Sequence, residues 1–158
     1  MTHSLNIDKT PTPAKFQQFA DEIIPFLIDK MRKLDALESE MLANQALVKA
    51  SATEHDLKFF WKEYDQGCEA VIAPVWIGKK RGNMRSFGKP LAYEYLDNPS
   101  TKIIFTMKSA DVALVETQSE FGMGLRRDER FSLRSEADGW KISSKKLRNG
   151  DKWRDVEF

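Results

Sequence analysis

Reactive chemistry needs a nucleophile, a base or a set of ligands within reach of one another, and this chain offers few. Its two histidines are His3, in the polar start, and His55, beside Asp56 near an expected helix N-terminus. One usable histidine and the lone Cys68 cannot assemble a zinc set or a Cys–His pair. Paired carboxylates occur as Glu94 with Asp97 and as Asp128 with Glu129. Neighbours on a strand point to opposite faces, so Asp128 and Glu129 cannot share a site there. The direction of Glu94 stays open. Tyr93 and Tyr95 would share one face of their strand. Tyr95 beside a buried acid could line a pocket, although packing is the commoner use of such rings. Gly122-x-Gly124 lacks the third glycine of a dinucleotide fingerprint, and there is no Walker or calcium loop. No catalytic, cofactor-binding or metal-ligating residue is therefore assigned.

Binding chemistry is better represented. The stretch Gly78–Pro90, GKKRGNMRSFGKP, holds Lys79, Lys80, Arg81, Arg85 and Lys89 with no acidic residue. Single-stranded nucleic acid would call for interleaved aromatic platforms, and only Phe87 is present. A solvated loop, or a loop that meets an acidic protein partner, fits better. Arg126 and Arg127, after the second glycine-containing connection, are the other cationic candidates.

These residues need a scaffold. Thr12-Pro13 reads as a helix start. Phe16, Phe19, Ala20, Ile23, Ile24, Leu27, Met31, Leu34 and Leu37 then recur at steps of three and four, an amphipathic stripe. Pro25 should kink it, and a break is expected near Asn44. Residues 1–11 are expected to fray. Thr53 and Asp56 resemble a capping pair for a second helix, whose Leu57, Phe60, Trp61, Tyr64 and Cys68 form an aromatic stripe ended by Pro74. Leu91–Leu96 alternates as a strand. Ile103–Met107 and Val112–Ser119 form the clearest element, an antiparallel hairpin of period two. A further strand pair follows, with Phe131, Leu133, Trp140 and Ile142 inward and an irregularity at Leu147. Trp153 and Phe158 anchor the tail.

At 158 residues the chain reads as one domain, with residues 1–50 a helical extension and 51–158 the core. The net charge of +1 implies no bulk pull toward nucleic acid or membrane. The balance is uneven: residues 1–75 carry 8 basic against 12 acidic side chains, and residues 76–158 carry 17 against 12. A single cysteine excludes an internal disulfide. The start lacks a signal-peptide pattern, and no stretch approaches the ~20 apolar residues of a membrane span. The expectation is a cytoplasmic α+β protein.

From Tyr93 the chain carries YEYLDNPSTKIIFTMKSADVALVET, then Asp138-Gly139-Trp140-Lys141-Ile142, then Lys152-Trp153, with FFWKEYD in the second helix. Together these resemble an immunity-protein family of bacterial polymorphic toxin systems, over roughly residues 57–158. The resemblance implies N-terminal helices packed on a strongly curved antiparallel sheet, the cone-shaped nuclear-transport-factor-two-like fold. It implies no enzymatic activity, and a cognate toxin domain as protein partner, neutralised by tight association. Homodimerisation of the free protein through the sheet is a further expectation. Residues 1–50 lie outside the resemblance. The segments after Ser119 and over 143–150 depart from the pattern, so the toxin's activity is not carried over. Contact with the toxin would fall to Lys80, Arg81, Arg85, Phe87, Arg126 and Arg127. The rival from another class is a small-molecule binder or isomerase/dehydratase-type enzyme using the cone's interior, with Tyr64, Tyr95 and Glu116 as its inviting residues. Closure of that interior by Phe60, Trp61, Tyr64, Phe105 and Trp140 would count against it.

Overall fold

The computed structural model describes residues 5–48, 54–79, 88–120 and 122–158. The elements run β1 (Asn6–Asp8), α1 (Ala14–Gln17), α2 (Ala20–Val48), α3 (Glu54–Ile72), β2 (Lys102–Ser109), β3 (Val112–Glu120), β4 (Arg126–Glu136), β5 (Gly139–Asn149) and β6 (Lys152–Asp155). Short 3-10 turns occupy Ala73–Val75, Glu94–Asp97 and Gly122–Gly124. The class is α+β, with one six-stranded sheet whose strand order follows the chain from edge β1 to edge β6.

The expected hairpin forms the middle of that sheet. Phe105 lies opposite Val115 and Met107 opposite Ala113. Ile103, Phe105 and Met107 are buried while Ile104 and Thr106 are only half-buried, so period two separates the faces. The inner row continues from Val115 to Phe131 and from Phe131 to Lys145. A lysine thus stands where the pattern would place an apolar side chain. The irregularity expected at Leu147 lies instead between Ser132 and Leu133, and Leu147 stays paired with Glu129 and Arg154.

The sheet is mixed, which corrects the antiparallel expectation. Asn6–Asp8, expected to fray, pair in parallel with Lys102–Ile104 at the edge. Thr12 does not cap α1 with its side chain. Its hydroxyl donates to the Phe105 carbonyl at 2.7 Å and accepts the Met107 N–H at 3.0 Å. A side chain therefore continues the ladder where β1 stops, and those edge groups are not left open to another strand.

Ala20, Ile23, Ile24, Leu27, Met31 and Leu34 of α2 join Tyr64, Cys68 and Ile72 of α3 and the inner face of the sheet in one core. The long apolar stripe is interrupted at Gln18–Phe19, between α1 and α2, and α2 continues as helix through Pro25 and past Asn44, the expected position of a break. Pro25 sits in the second turn of α2 and removes only the bond to the Asp21 carbonyl. Pro74 ends α3 as expected, in the turn Ala73–Val75. Thr53 of the expected capping pair lies outside the described residues.

Residues Leu91–Leu96 are not a strand. They form turns that lead into the 3-10 segment Glu94–Asp97. Two carboxylates of α2 explain the difference: Asp35 accepts the Tyr93 N–H at 3.0 Å, and Glu38 accepts the Ala92 N–H at 3.0 Å. Backbone donors taken by a helix cannot enter a ladder. Tyr93 and Tyr95 are both buried, by this turn and not by sharing a strand face.

Candidate functional site

The basic stretch is held at both ends. On its entry side, Trp76 bridges Ile142 of β5, and the Ile77 N–H donates to the Ile142 carbonyl at 2.9 Å. The Trp76 indole N–H then donates to the Lys79 carbonyl at 2.8 Å. Gly78 fits there because a Cβ would collide with the Ser143 carbonyl oxygen. On the exit side, Glu38 accepts the Gly88 N–H at 2.9 Å with one oxygen and the Ala92 N–H with the other. Glu38 and Asp35 are 4% and 8% exposed, so two buried carboxylates clamp the end of a basic stretch. Lys79 pairs with Asp155 at 3.2 Å and Lys89 with Glu94 at 3.8 Å. Lys80, Arg81, Arg85 and Phe87 lie outside the described residues.

Arg126 and Arg127, the other cationic candidates, are directed to opposite faces of β4. Strand alternation is the cause. Arg127 turns inward and pairs with Glu129 at 3.2 Å. It also lines a groove of about 180 Å³ with Pro90, Leu91, Ala92, Glu94, Tyr95, Asn98 and Glu120. The structure therefore brings Arg127 beside the exit of the basic stretch. Arg126 turns outward and shares a concavity of about 290 Å³ with Asp128, Arg148 and Gly150. Asp128 and Glu129 part in the same way, as their adjacency predicts.

Glu129 is the centre of a buried polar cluster that sequence reasoning missed. Its Oε2 lies 3.0 Å from the Lys145 ammonium and 3.2 Å from Arg127. Lys145 also donates to the Tyr93 hydroxyl at 3.0 Å, and that hydroxyl donates to the Phe158 carbonyl at 2.8 Å. Thr117 donates to the Tyr95 hydroxyl at 3.3 Å. Burial by itself pushes the Glu129 carboxyl up, but the Lys145 and Arg127 charges outweigh it and hold it below the usual glutamate value. The Tyr95 hydroxyl is near enough to favour the ionised form, although Oε1 takes no hydrogen bond of ordinary geometry. Burial, then the Glu129 charge, push the Tyr95 phenol well above 10. The signal was present in the phase of β4: counting back by two from Leu133 and Phe131 places Glu129 inward.

The layer beneath the helices is filled by rings. Phe158 packs its ring 5.6 Å from those of Tyr93 and Phe131. Phe105, Phe131 and Tyr93 are 0% exposed, Tyr64 is 4% and Trp140 9%, with Phe60 and Trp61 packed against them half-buried. Of the residues that invited a pocket, Tyr64 and Tyr95 are inside this packing. Glu116 is not: it faces outward and accepts from Arg130 at 2.9 Å, whose guanidinium lies 4.0 Å from the centre of the Trp153 ring. No group of three or more His, Cys, Asp and Glu side chains that could hold a metal occurs among the described residues. No helix among them is long and apolar enough to cross a membrane.

A scan against protein-family models and searches of the curated proteins and of the solved structures give no match to this chain.

Proposed function

We propose that this chain is a non-enzymatic, cytoplasmic immunity protein that binds a cognate toxin domain and neutralises it by occluding its active site or locking a mobile segment. In this reading the helices and sheet are a variant of the cone-shaped nuclear-transport-factor-two-like fold, with β1 an addition at the edge. The observation that carries it is the filled inner layer: Tyr93, Phe105, Phe131 and Phe158 are each at most 1% exposed. Action then falls to the outside of the molecule, where Lys79 and Lys89, at the two ends of the basic stretch, and Arg126 of β4 are exposed. Tight association through a few desolvated anchors with a polar rim is the physics such a surface requires. The stretches that carry the resemblance support the same reading, since IIFTMKS and VET lie in the paired strands β2 and β3.

The test is co-expression with the toxin domain encoded beside this gene. Binding in solution and rescue of growth are expected. A chain that neither binds that domain nor rescues growth is not its immunity protein. The rival reading, a small-molecule binder or enzyme of the same fold, draws on the Glu129–Lys145–Tyr93 cluster. A metabolite that co-purifies with the wild type and is lost from a folded Lys145→Met variant would favour it.

A further inference from the structure

The two most exposed of the large apolar side chains exposed among the described residues lie two positions apart in one connection. Met123 is 99% and Leu125 63% exposed. Met123 also has φ 69°, a left-handed conformation that costs a residue with a Cβ roughly 1–2 kcal/mol. Glycines flank it on both sides and relieve none of that strain at Met123 itself. A fully exposed methionine on a strained backbone gains nothing from the fold around it. Strain of that kind is found where a side chain is presented for use.

Two guanidinium groups flank the same end of the sheet. Arg126 follows Leu125 directly, and Arg148 reaches it from β5. Both engage Asp128, which is 5% exposed: Arg126 at 3.4 Å and Arg148 at 3.5 Å. A buried carboxylate thus holds two half-exposed guanidinium groups in place over the concavity of about 290 Å³. Arg126 reaches Asp128 through Nη2 and Arg148 through Nη1, and Arg148 Nε donates to the Gly150 carbonyl at 3.0 Å, so each half-exposed guanidinium keeps N–H donors beyond these contacts.

We infer that Met123, Leu125, Arg126 and Arg148 form the docking surface for an acidic protein partner, which presents an apolar socket to Met123 and Leu125 and carboxylates to the two arginines. The inference rests on the immunity reading for the identity of the partner, but not for the chemistry of the surface. A lipid surface is the other class that takes an apolar tip beside basic residues. It fits less well, because Glu120 stands opposite Arg126 across the strands and Asp128 lies between the arginines. Such alternation matches discrete carboxylates in a partner rather than a uniform anionic sheet.

The experiment has three arms and uses the full chain with the variants Met123→Glu, Leu125→Glu and Arg126→Glu/Arg148→Glu. Arg134→Glu, exposed at the far end of β4, is the control. All are checked for unchanged thermal melting. In the first arm a displayed random-peptide library is selected against the wild type. Peptides with an apolar residue flanked by carboxylates are expected, and each surface variant should weaken them by at least about tenfold while the control does not. No enrichment, or peptides that bind the variants as well as the wild type, overturns the inference. The second arm is sedimentation with vesicles of phosphatidylglycerol and phosphatidylethanolamine. Vesicle binding that depends on Met123 overturns the inference in favour of a membrane contact. In the third arm the toxin domain encoded beside the gene is titrated. If it binds the variants as tightly as the wild type, the surface is wrong and the immunity reading stands. If it binds neither, the immunity reading falls and the peptide arm alone decides the surface.

Discussion

The Glu129 carboxylate and the Lys145 ammonium meet at 3.0 Å with side chains 0% and 4% exposed. They sit on the inner face of β4 and β5: Lys145 ends the row of Phe105, Val115 and Phe131, and Glu129 stands in the next inner row, between Thr117 and Leu147. Their charges are not balanced one to one, since Arg127 reaches the same oxygen. Taking such groups out of water costs several kcal/mol per ion, which their attraction only partly repays. The pair therefore adds little net stability, but each member makes the other indispensable.

That asymmetry gives the first expected outcome. Lys145→Met should destabilise the fold by about 3–5 kcal/mol, because a buried carboxylate is left with Arg127 alone. Glu129→Leu should cost a similar amount by stranding Lys145. The double variant should cost clearly less than the two together, since Arg127 is about one-third exposed and can turn to water. Urea melts of the four proteins measure the coupling. Additive losses would mean that the two groups do not depend on each other.

Acid should expose the same carboxylate. Glu129 has a folded value below its ordinary 4.5. A lowered folded value means that its stabilising contribution is complete above the unfolded value, near 4.5, and is lost as pH falls through the folded one. The melting temperature of the wild type should therefore drop on acidification below about pH 4.5. Asp8, Asp29 and Asp138 are also lowered but sit at the surface, where water screens their contribution. The difference between wild type and Glu129→Gln isolates the buried group: the variant should be less stable near neutrality and lose less on acidification. Parallel pH profiles would remove Glu129 as the acid-sensitive group.

Legibility in the sequence followed how local each cause is. Phe105 and Val115 lie in runs whose period and residue types already say strand, and Pro74 stops α3 through its own ring. Leu91–Leu96 alternates equally well, yet Asp35 and Glu38, more than fifty residues away, take its backbone donors. Asn6–Asp8 are three residues of no marked pattern, and their partner strand begins at Lys102. Arg126 and Arg127 are legible as cationic candidates, but the pleat sends them to different faces, Arg127 to the buried Glu129 and Arg126 outward. The inward phase of Trp140 and Ile142 would point Lys145 outward, but the register slip near Leu133 shifts the phase of β5 after Ile142 and turns Lys145 inward.

Glu38 gives the next outcome. Its two oxygens hold the Gly88 and Ala92 N–H groups, and the residue is 4% exposed. Glu38→Ala leaves two donors without acceptors, at about 1–3 kcal/mol for each that water cannot reach. Glu38→Gln keeps one oxygen and should fall between. Amide hydrogen exchange at Gly88 and Ala92 should quicken in Glu38→Ala far more than at Phe105 in the sheet. Equal quickening everywhere would mean that Glu38 supports the whole fold rather than the exit of the basic stretch.

Phe158 tests the filled inner layer directly. Its ring is 1% exposed and packs against Tyr93 and Phe131, while its carbonyl accepts from the Tyr93 hydroxyl. Phe158→Ala keeps that carbonyl and removes the ring, so the loss should be mainly one of packing, about 3–5 kcal/mol. Phe158→Leu refills most of the volume and should cost much less. If the space left behind stays open, its aromatic wall will take a small apolar ligand, as dry engineered cavities do. Benzene should then raise the melting temperature of Phe158→Ala and leave that of the wild type unchanged. A wild type that benzene stabilises just as much would already hold an open apolar cavity, and its outside would not be the sole place free to act.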